Sequence, residues 1–537
     1  MGLITALILT GYGKFNYLLL LAILPAGCAF IYSSTAMSYV LPSAECDLGL
    51  TLFDKGLLNS MPFAGMIVTS FIWGFLTDTF GRKRILIYGY LTVAIINLAS
   101  ALSQTSWLLI MTQFLNGVVM SGPFAALMSY LAEVHGEQQR SRIYMWLGVF
   151  YSIGHISIPC LAWLIIPQEW RWNIFGGTRR VTSWRIFLAV CAIPEITAFV
   201  ALSWFPESPR FLLSKGRDHE ALEVFKKIYS LNTGKEPHTY PVSYEFVDRT
   251  FAGFLYTIGL PIGHSGRLPM KHRYLVATLK CGWQQIKPLF HLRYAYRLIL
   301  IGAIQFGGTV GSNSLRLWMP QLFAMIETYE TKHPIKTSGP FPSICVMLEK
   351  TRTNSYHLVV LDSTVYINSI VIALTGVIGY TLAGTLINAA GKKKLMGDIS
   401  IFVLHCFGFF LNVKAIFSLI VFCFLSAGLC CGVLYWAEDS NGILGISSVF
   451  VALSSIGGAA VMNVIVDNFP TSLRTMAISM TMMAGRIGAV VGNLLFPVLF
   501  KVGCLGPFIM IGSALCSILV FFLPRKDSAS DKNAGNQ

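Results

Sequence analysis

The sequence predicts an all-α membrane protein with 12 transmembrane helices in two six-helix bundles, and three observations support this fold class. Of the 537 residues, 54% are hydrophobic and only 12% are charged, whereas a soluble globular chain carries roughly 25% charged residues. The apolar runs are long and continuous, which indicates helices rather than the alternating pattern of a transmembrane β-barrel. A motif of the first half recurs in the second half, which indicates two related units.

The net charge of +15 limits the classes of partner. The basic residues lie mostly between apolar runs, so the preference of Lys and Arg for cytoplasmic loops explains the charge better than nucleic-acid binding does. The expected partners are therefore the lipid bilayer and a small-molecule substrate, with no nucleic acid. The sequence contains no GxSxG, HExxH or Walker-type phosphate loop. It therefore predicts no enzyme, no cofactor and no metal site.

Apolar runs of about 20 residues, the length of a membrane-spanning helix, are concentrated in two stretches of the chain. Polar residues lie between these stretches and after the second one, so the chain has four parts. We expect an N-terminal six-helix bundle over 1–206 and a C-terminal six-helix bundle over 298–524. Between them, 207–297 is polar and has roughly twice as many basic as acidic residues, which indicates a cytoplasmic central loop. The last residues, 525–537, are predicted to form a polar cytoplasmic tail.

The repeated motif combines glycines, an acidic or amide residue and a base at fixed spacing. It occurs once in each half: Gly74, Asp78, Gly81 and Arg82, then Gly384, Asn388, Gly391 and Lys392. A later acid–base pair also recurs, seven residues apart both times: Glu133 and Arg140, then Asp467 and Arg474. Basic clusters alone could simply anchor the topology, but a pattern duplicated in this detail is typical of secondary transporters.

The two halves differ in length between these landmarks. Asp78 and Glu133 are 55 residues apart, whereas Asn388 and Asp467 are 79 residues apart. An extra apolar segment in the second half, Gly397–Ser418, accounts for the surplus. A thirteenth crossing there would place the later acid–base pair on the wrong side of the membrane. We therefore expect the segment to lie at the interface, to break a helix, or to be an artefact of the gene model.

The twelve cysteines are scattered, mostly within apolar runs, and none forms a CxxC pair with zinc-ligand spacing. We therefore interpret most of them as small hydrophobic core residues. Cys345 is different, because it falls in a predicted external loop that offers it no obvious partner.

Several motifs resemble those of one family of membrane transporters. Gly74–Arg84 resembles the G-x-L-x-D-x-x-G-R-K loop of the major facilitator superfamily. Pro206–Arg210 and Asp467–Arg474 resemble motifs of its sugar and organic-ion porter branch. More narrowly, the chain resembles the synaptic vesicle glycoprotein 2 and related-protein group, especially its insect members, in four stretches: Thr10–Phe15, Leu41–Leu48, Ser183–Phe187 and Thr481–Gly492.

The resemblance implies the major facilitator fold, in which two bundles surround a central cavity and rock to expose it alternately, with both termini cytoplasmic. It also implies a cytoplasmic network of charges that stabilises the outward-facing state. The candidate gate residues are Gly74, Asp78, Gly81, Arg82, Glu133, Arg140, Asn388, Gly391, Asp467 and Arg474. A monomer in the plasma membrane or an intracellular vesicle membrane is expected.

The chain departs from the family pattern at positions that matter for coupling. The fourth span carries Gln113 where the family usually has Arg, and the first span lacks the acidic residue expected in close relatives. The acid of the second-half loop is replaced by Asn388. A proton-driven porter needs a titratable group in its cavity, so the first two departures weaken the expectation of proton coupling.

Polar and charged residues within spans are costly, so each is a candidate for substrate contact. Arg486 could hold an anionic substrate group, although an interhelical pair or an anchor at the helix end explains it at least as well. Arg316 lies nearer the outer end of the seventh span. His155 could titrate, although a lone histidine is more often a hydrogen-bonded core residue. Interhelical hydrogen bonds explain the amides at least as well as substrate contact does. Glu195 is expected to be structural. The candidate substrate residues are Gln113, Asn116, His155, Gln305, Asn313, Arg316, Asn368 and Arg486.

These features predict transport of a small organic solute, charged or uncharged, by alternating access. The alternative is a transporter-fold protein that no longer transports and acts as a receptor or as a regulator of vesicle secretion. The weakened cavity charges keep this alternative open, whereas the duplicated gate motif disfavours a channel.

Overall fold

The computed structural model describes residues 2–168, 170–174, 179–241, 291–332, 343–353, 363–391, 415–469 and 471–517. Ten described helices lie before residue 242: α1 Gly2–Leu9, α2 Lys14–Leu48, α3 Leu52–Phe80, α4 Arg82–Ala101, α5 Ser106–Val134, α6 Glu137–Ile165, α7 Ser183–Val190, α8 Ile193–Ser203, α9 Pro209–Ser214 and α10 Asp218–Thr233. Seven described helices follow it: α11 Leu292–Lys332, α12 Ile344–Thr353, α13 Ser363–Gly391, α14 Ala415–Val433, α15 Ser440–Asn468, α16 Thr471–Val502 and α17 Leu505–Cys516.

The remaining regular elements are short. Three 3₁₀ turns lie at Ile166–Gln168, Pro237–Thr239 and Leu434–Trp436. Strand β1 (Arg171–Ile174) pairs antiparallel with β2 (Arg179–Thr182), with Arg171 opposite Thr182. The hairpin joins α6 to α7.

Eleven helical segments of the described chain are long and apolar enough to cross a membrane, and α7 and α8 together form one of them. The shorter α17 is also apolar. This agrees with the predicted fold class of twelve membrane helices. Successive spans run in opposite directions, so their ends collect at two faces. We name the face with Gly81–Arg84 and Glu207–Arg210 the gate face, and the face with Cys345 and Cys504 the disulfide face.

Side-chain caps fix several helix starts at the disulfide face. At the start of α3, Thr51 and Asp54 form a capping box, in which the Asp54 amide donates to the Thr51 hydroxyl at 3.2 Å and the Thr51 amide donates to the Asp54 carboxylate at 3.0 Å. Asp439 accepts the Gly442 amide at the start of α15. Gly49 ends α2 in the left-handed conformation, with φ of 59°, so the chain turns directly into α3.

Each half packs mainly around its own apolar core. One cluster of buried residues comes from α11–α17 and includes Trp318 and Phe496. Two others, around Tyr90 and Trp184, come almost entirely from the first half. Small residues bring helices close together: a Cβ on Gly117 would overlap the backbone of α3, so α3 and α5 pack directly.

The two halves meet along α3 and α16. Near the disulfide face, Gly56 packs so closely against Pro497 that a side chain would not fit. About one turn deeper, the Ser60 hydroxyl donates to a carbonyl of α16 at 3.4 Å. Deeper still, Arg486 Nη1 donates to Ser70 Oγ at 3.1 Å. These contacts run from the disulfide face to the middle of the spans.

The extra apolar segment of the second half lies mostly outside the described residues. The backbone of its last four residues begins α14 at Ala415. The helix before it, α13, ends at the gate face with Gly391, and α14 leads away from the same face. The expected path of Gly397–Ser418 therefore stays a prediction.

A disulfide and a short helix cover the second half at the disulfide face. Cys345 in α12 is bonded to Cys504, which lies between α16 and α17 and is 159 residues away in sequence. Leu348 of α12 is buried in the core of the second half, and Arg352 Nη1 donates to the Lys501 carbonyl at 2.9 Å. The sequence left Cys345 without a partner because Cys504 belongs to a different loop.

Loss of this disulfide should destabilise the second half. We expect Cys345→Ser to lower the free energy of unfolding by about 2–4 kcal/mol, because the bond restricts a long loop of the unfolded chain. Thermal unfolding in detergent would show this as a lower midpoint. Cys504→Ser should give the same shift, and the double variant should add nothing. Cys46→Ser, at an exposed free cysteine, is the control; additive single effects would contradict the pairing.

Candidate functional site

Arg82 is the centre of a charge cluster at the gate face. Its Nη2 donates to Asp78 Oδ1 at 2.7 Å and to Glu133 Oε1 at 3.0 Å, and its Nε lies 3.0 Å from Glu133 Oε2. The side chains of Arg82 and Glu133 are largely buried, whereas that of Asp78 is 64% exposed. A buried pair of this kind needs both partners, because removal of one would strand the other charge. The pair therefore joins α4 to α5.

Glu207 binds the start of α4 from the other side. Its Oε1 accepts the backbone amides of Arg82 and Lys83, both at 3.0 Å, and that of Ser208 at 2.9 Å. A carboxylate at a helix N-terminus satisfies free amides and complements the positive end of the helix dipole. The Ser208 hydroxyl donates in turn to Glu133 Oε2 at 2.6 Å. These contacts form a closed ring between α4, α5 and the start of α9.

Gly81 provides the turn that this ring requires. Its φ is +99°, in a region that favours glycine, and a Cβ at this position would overlap the Glu207 carboxylate. Gly74, the other glycine of the first-half motif, has open space where a Cβ would lie. The structure therefore requires a glycine at position 81, whereas it leaves room for a side chain at position 74.

Phe211 of α9 lies beside two cations of the cluster. The Arg82 guanidinium carbon is 5.4 Å from the ring centroid, and the Lys215 ammonium is 5.5 Å from it. Partial burial lowers the pKa of Lys215 below its usual value, and the charge of Arg82 acts in the same direction. The cluster thus includes residues beyond the repeated motif.

The predicted gate residues are placed unequally. The structure brings Asp78, Gly81, Arg82 and Glu133 together, and Gly74 lies about one turn before Asp78 on α3. Gly391 is the last residue of α13. The side chains of four others lie outside the described residues: Arg140, Asn388, Asp467 and Arg474.

Sequence reasoning did not assign Glu207 and Ser208 to the gate. Their motif, Pro206–Arg210, was recognised only as a family signature. The available signal was its position directly after the sixth span, because that position brings the motif to the same face as the Gly81 turn.

A cavity lies between the two halves, lined by residues of α2, α6, α11, α13 and α15. Polar side chains from both halves face it: Tyr39, Ser152, His155, Arg316, Ser369 and Tyr380. Much of the remaining wall is apolar: Met319, Pro320, Ile372, Ala373, Val377 and Val451. A wall that combines polar groups with apolar surface is typical of sites for small molecules. Of the predicted substrate residues, His155 and Arg316 line this cavity.

Arg486, on α16, is not among the residues that line the cavity. Its guanidinium carbon is 5.6 Å from the centroid of the Phe124 ring. Phe124 stacks on Phe30 with centroids 4.5 Å apart, and Phe30 contacts Tyr151 at 5.6 Å. Tyr151 directly precedes the cavity residue Ser152, so this row of rings connects Arg486 to the cavity wall.

Gln113 and Asn116 face α4 and do not line the described cavity. Gln113 Nε2 donates to Ser100 Oγ at 3.4 Å, and Asn116 Nδ2 makes a short hydrogen bond to Asn97 Oδ1. Asn97 Nδ2 donates to Glu195 Oε1 at 2.8 Å. These buried groups form an interhelical network between α4, α5 and α8, which is the structural alternative considered for them.

The remaining candidates lie near the cavity or along its helices. Gln305 packs against a glycine of α16. Asn313 is half-buried on α11, one turn before Arg316, and Asn368 is buried next to the cavity residue Ser369. In the part of the chain that is described, no group of three or more His, Cys, Asp or Glu residues could hold a metal ion.

Comparison with known proteins identifies the class. The family model described as Major Facilitator Superfamily matches residues 23–421, and the chain belongs to this superfamily. The xylose transporter XylE from E. coli, in a partially occluded inward-open conformation, superposes with a TM-score of 0.61 at 14% identity, over 95% of this chain and 100% of that chain. Its inward-open form gives 0.59 at 15% identity, over 96% and 97%. These likenesses confirm the predicted fold.

Curated relatives narrow the position within the superfamily. The chain is 28% identical to synaptic vesicle glycoprotein 2B of Rattus norvegicus over 333 residues, which are 61% of this chain and 48% of that protein. It is 35% identical to glycoprotein 2C of Rattus norvegicus over 223 residues (41% and 30%) and 33% identical to 2A of Homo sapiens over 229 residues (42% and 31%). The matches thus span less than half of these relatives. They confirm the resemblance inferred from the sequence motifs.

Gly81→Ala should destabilise the gate face, whereas Gly74→Ala should not. At Gly81 the new Cβ combines a positive φ with a clash against Glu207, so we expect a loss of about 1–3 kcal/mol in the free energy of unfolding. At Gly74 the backbone is helical and the space is open, so stability should stay unchanged or rise by about 1 kcal/mol. Thermal unfolding of both variants provides the measurement, and equal shifts would argue against the assigned turn.

Proposed function

We propose that this protein moves a small organic solute across a membrane by alternating access. The observation that carries the proposal is the position of the cavity. It lies between the two halves, which are in contact along α3 and α16 around Gly56 and Ser60 on its disulfide-face side, while the Arg82 cluster lies at the opposite face. A site between two related halves suits a rocking motion around a fixed binding point.

In this proposal the gate face is cytoplasmic and the disulfide face is extracellular or lumenal. The basic residues of the Gly81–Arg84 loop favour the cytoplasmic side, and the Cys345–Cys504 disulfide suits an oxidising compartment. Both termini would then be cytoplasmic, and a monomer would be the working unit, in the plasma membrane or a vesicle membrane. The proposed parts remain 1–206, 207–297, 298–524 and 525–537.

The described contacts correspond to an inward-facing state in this scheme. Contacts between the halves hold the disulfide face closed, so the cavity would exchange solute through the gate face. Arg82, Glu133 and Glu207 form a preorganised surface of the first half. We infer that this surface meets the second-half loop with Asp467 and Arg474 when the cavity opens outward.

Counterflow in proteoliposomes tests transport directly. Vesicles with the purified full chain are loaded in turn with sugars, organic cations, organic anions and nucleotides, and uptake of the labelled solute is measured. We expect saturable uptake for at least one class. Arg82→Ala should reduce it about tenfold or more, because Glu133 would be left as an unpaired buried charge. Arg84→Ala, at an exposed position of the same loop, should retain uptake.

Silence across this whole panel would contradict transport. It would favour the second candidate, a transporter-fold receptor or regulator of vesicle secretion, which the similarity to synaptic vesicle glycoproteins motivates. Equal losses of uptake in Arg82→Ala and Arg84→Ala would instead show that uptake does not depend specifically on the Arg82 charge cluster.

The proposed orientation predicts the sidedness of labelling. In cells that carry the protein at the plasma membrane, a membrane-impermeant maleimide should label Asn441→Cys, at an exposed position near the start of α15. Arg84→Cys should be labelled only after the membrane is permeabilised. Both variants also carry Cys46→Ser, because Cys46 is exposed. Labelling of Arg84→Cys on intact cells would reverse the assignment of the faces.

A further inference from the structure

Two arginines within the spans have no carboxylate partner among the described residues. Arg316 Nη2 reaches Ser455 Oγ at 3.5 Å, which is a weak contact. Arg486 Nη1 donates to Ser70 Oγ at 3.1 Å, and its guanidinium lies over the Phe124 ring. Hydroxyl groups and rings do not cancel a full positive charge in a low-dielectric interior. Both sites therefore favour an anion that comes from outside the described chain.

The carboxylates of the described spans bind other groups or lie away from both arginines. Near the disulfide face, Glu45 pairs with Lys55 at 2.7 Å and Asp47 pairs with Arg185 at 3.3 Å. The others cap a helix, pair with Arg82, bond to Asn97 or lie in the last turns of α11: Asp54, Asp78, Glu133, Glu195, Glu327 and Glu330. Along α11, the acidic residues begin about 16 Å beyond Arg316 at 1.5 Å per residue. No described carboxylate lines the cavity.

The cavity wall selects among classes of solute. The charge of Arg316 disfavours an organic cation. The part of the wall around Met319, Ile372 and Val377 is apolar, so the hydroxyls on that side of a sugar would lie without hydrogen-bond partners. An anionic group on a small apolar body meets both conditions, because the charge neutralises Arg316 and the body buries apolar surface.

Arg486 extends the positive region towards the gate face. Tyr151 and His155 lie one turn apart on α6, about 6 Å along the helix axis. His155 lines the cavity with Arg316, and Tyr151 belongs to the row of rings beside Arg486. An anion that leaves Arg316 towards the gate face therefore meets a second fixed cation.

We propose that the solute is a small organic anion whose carboxylate, sulfonate or phosphate group binds Arg316. Arg486 is a second cationic binding position on the path of the solute towards the gate face. This inference rests on the proposed transport function. The charge selectivity of the cavity can nevertheless be measured without uptake, so the two proposals can fail separately.

Two methanethiosulfonate reagents of similar size serve as probes, the anionic 2-sulfonatoethyl and the cationic 2-(trimethylammonio)ethyl compounds. Each reagent is added to nanodiscs that contain the full chain with Ser369→Cys, a replacement in the cavity wall. The chain without this replacement gives the background rate of reaction with the native cysteines. Ala373→Cys is a second reporter in case the first does not fold. Each rate is divided by the rate of the same reagent with 2-mercaptoethanol. The normalised rate should be about tenfold higher for the anionic reagent.

Variants of Arg316 test whether the charge of this arginine causes the preference for the anionic reagent. Arg316→Gln should bring the two normalised rates to within about threefold, whereas Arg316→Lys should keep the preference. Equal rates, a faster cationic reagent, an undiminished preference in Arg316→Gln, or no reaction at either reporter would overturn the anion site. A preference that follows Arg316 while counterflow stays silent would support the anion site and contradict transport. Solute uptake in counterflow without a preference for the anionic reagent would support transport and contradict the anion site.

Discussion

Arg82 and Glu133 are held 3.0 Å apart in a largely buried ion pair at the gate face, and the neighbouring contacts depend on it. Ser208 donates to the same Glu133 carboxylate, and Glu207 accepts the backbone amide of Arg82. One acid therefore fixes the side chain of Arg82 while the other fixes its main chain. Together with the positive φ of Gly81, these contacts hold the turn between α3 and α4.

The same constraint distinguishes the first half from the cavity. Near the disulfide face, Lys55 is fully buried and pairs with Glu45, and Arg185 pairs with Asp47. Ion pairs thus hold the first half together at both ends of its helices. Among the described residues that line the cavity, Arg316 has no carboxylate beside it, which is the arrangement expected of a site that acquires its counter-charge from a ligand.

Spacing in the sequence was sufficient to predict the first-half gate, because glycines and charges are rare in spans and their order is informative. It did not separate cavity residues from network residues. Gln113 and Arg316 both lie in helices that are apolar on nearly all sides, so periodicity does not show which side faces a cavity. Glu207 was missed because its role depends on backbone amides, which every residue has. The partner of Cys345 was missed because 159 residues separate the two cysteines, and only tertiary packing brings them together.

This disulfide also orders events during biosynthesis. Cys345 is made before α13, whereas Cys504 follows α16, so the first thiol reaches its side of the membrane several spans before the second. In that interval Cys345 lacks its partner, and the exposed Cys46 is already present. Oxidation that comes too early would join the wrong thiols or leave Cys504 unpaired. Correct maturation of the second half therefore requires an oxidation step that follows synthesis of α16 and Cys504.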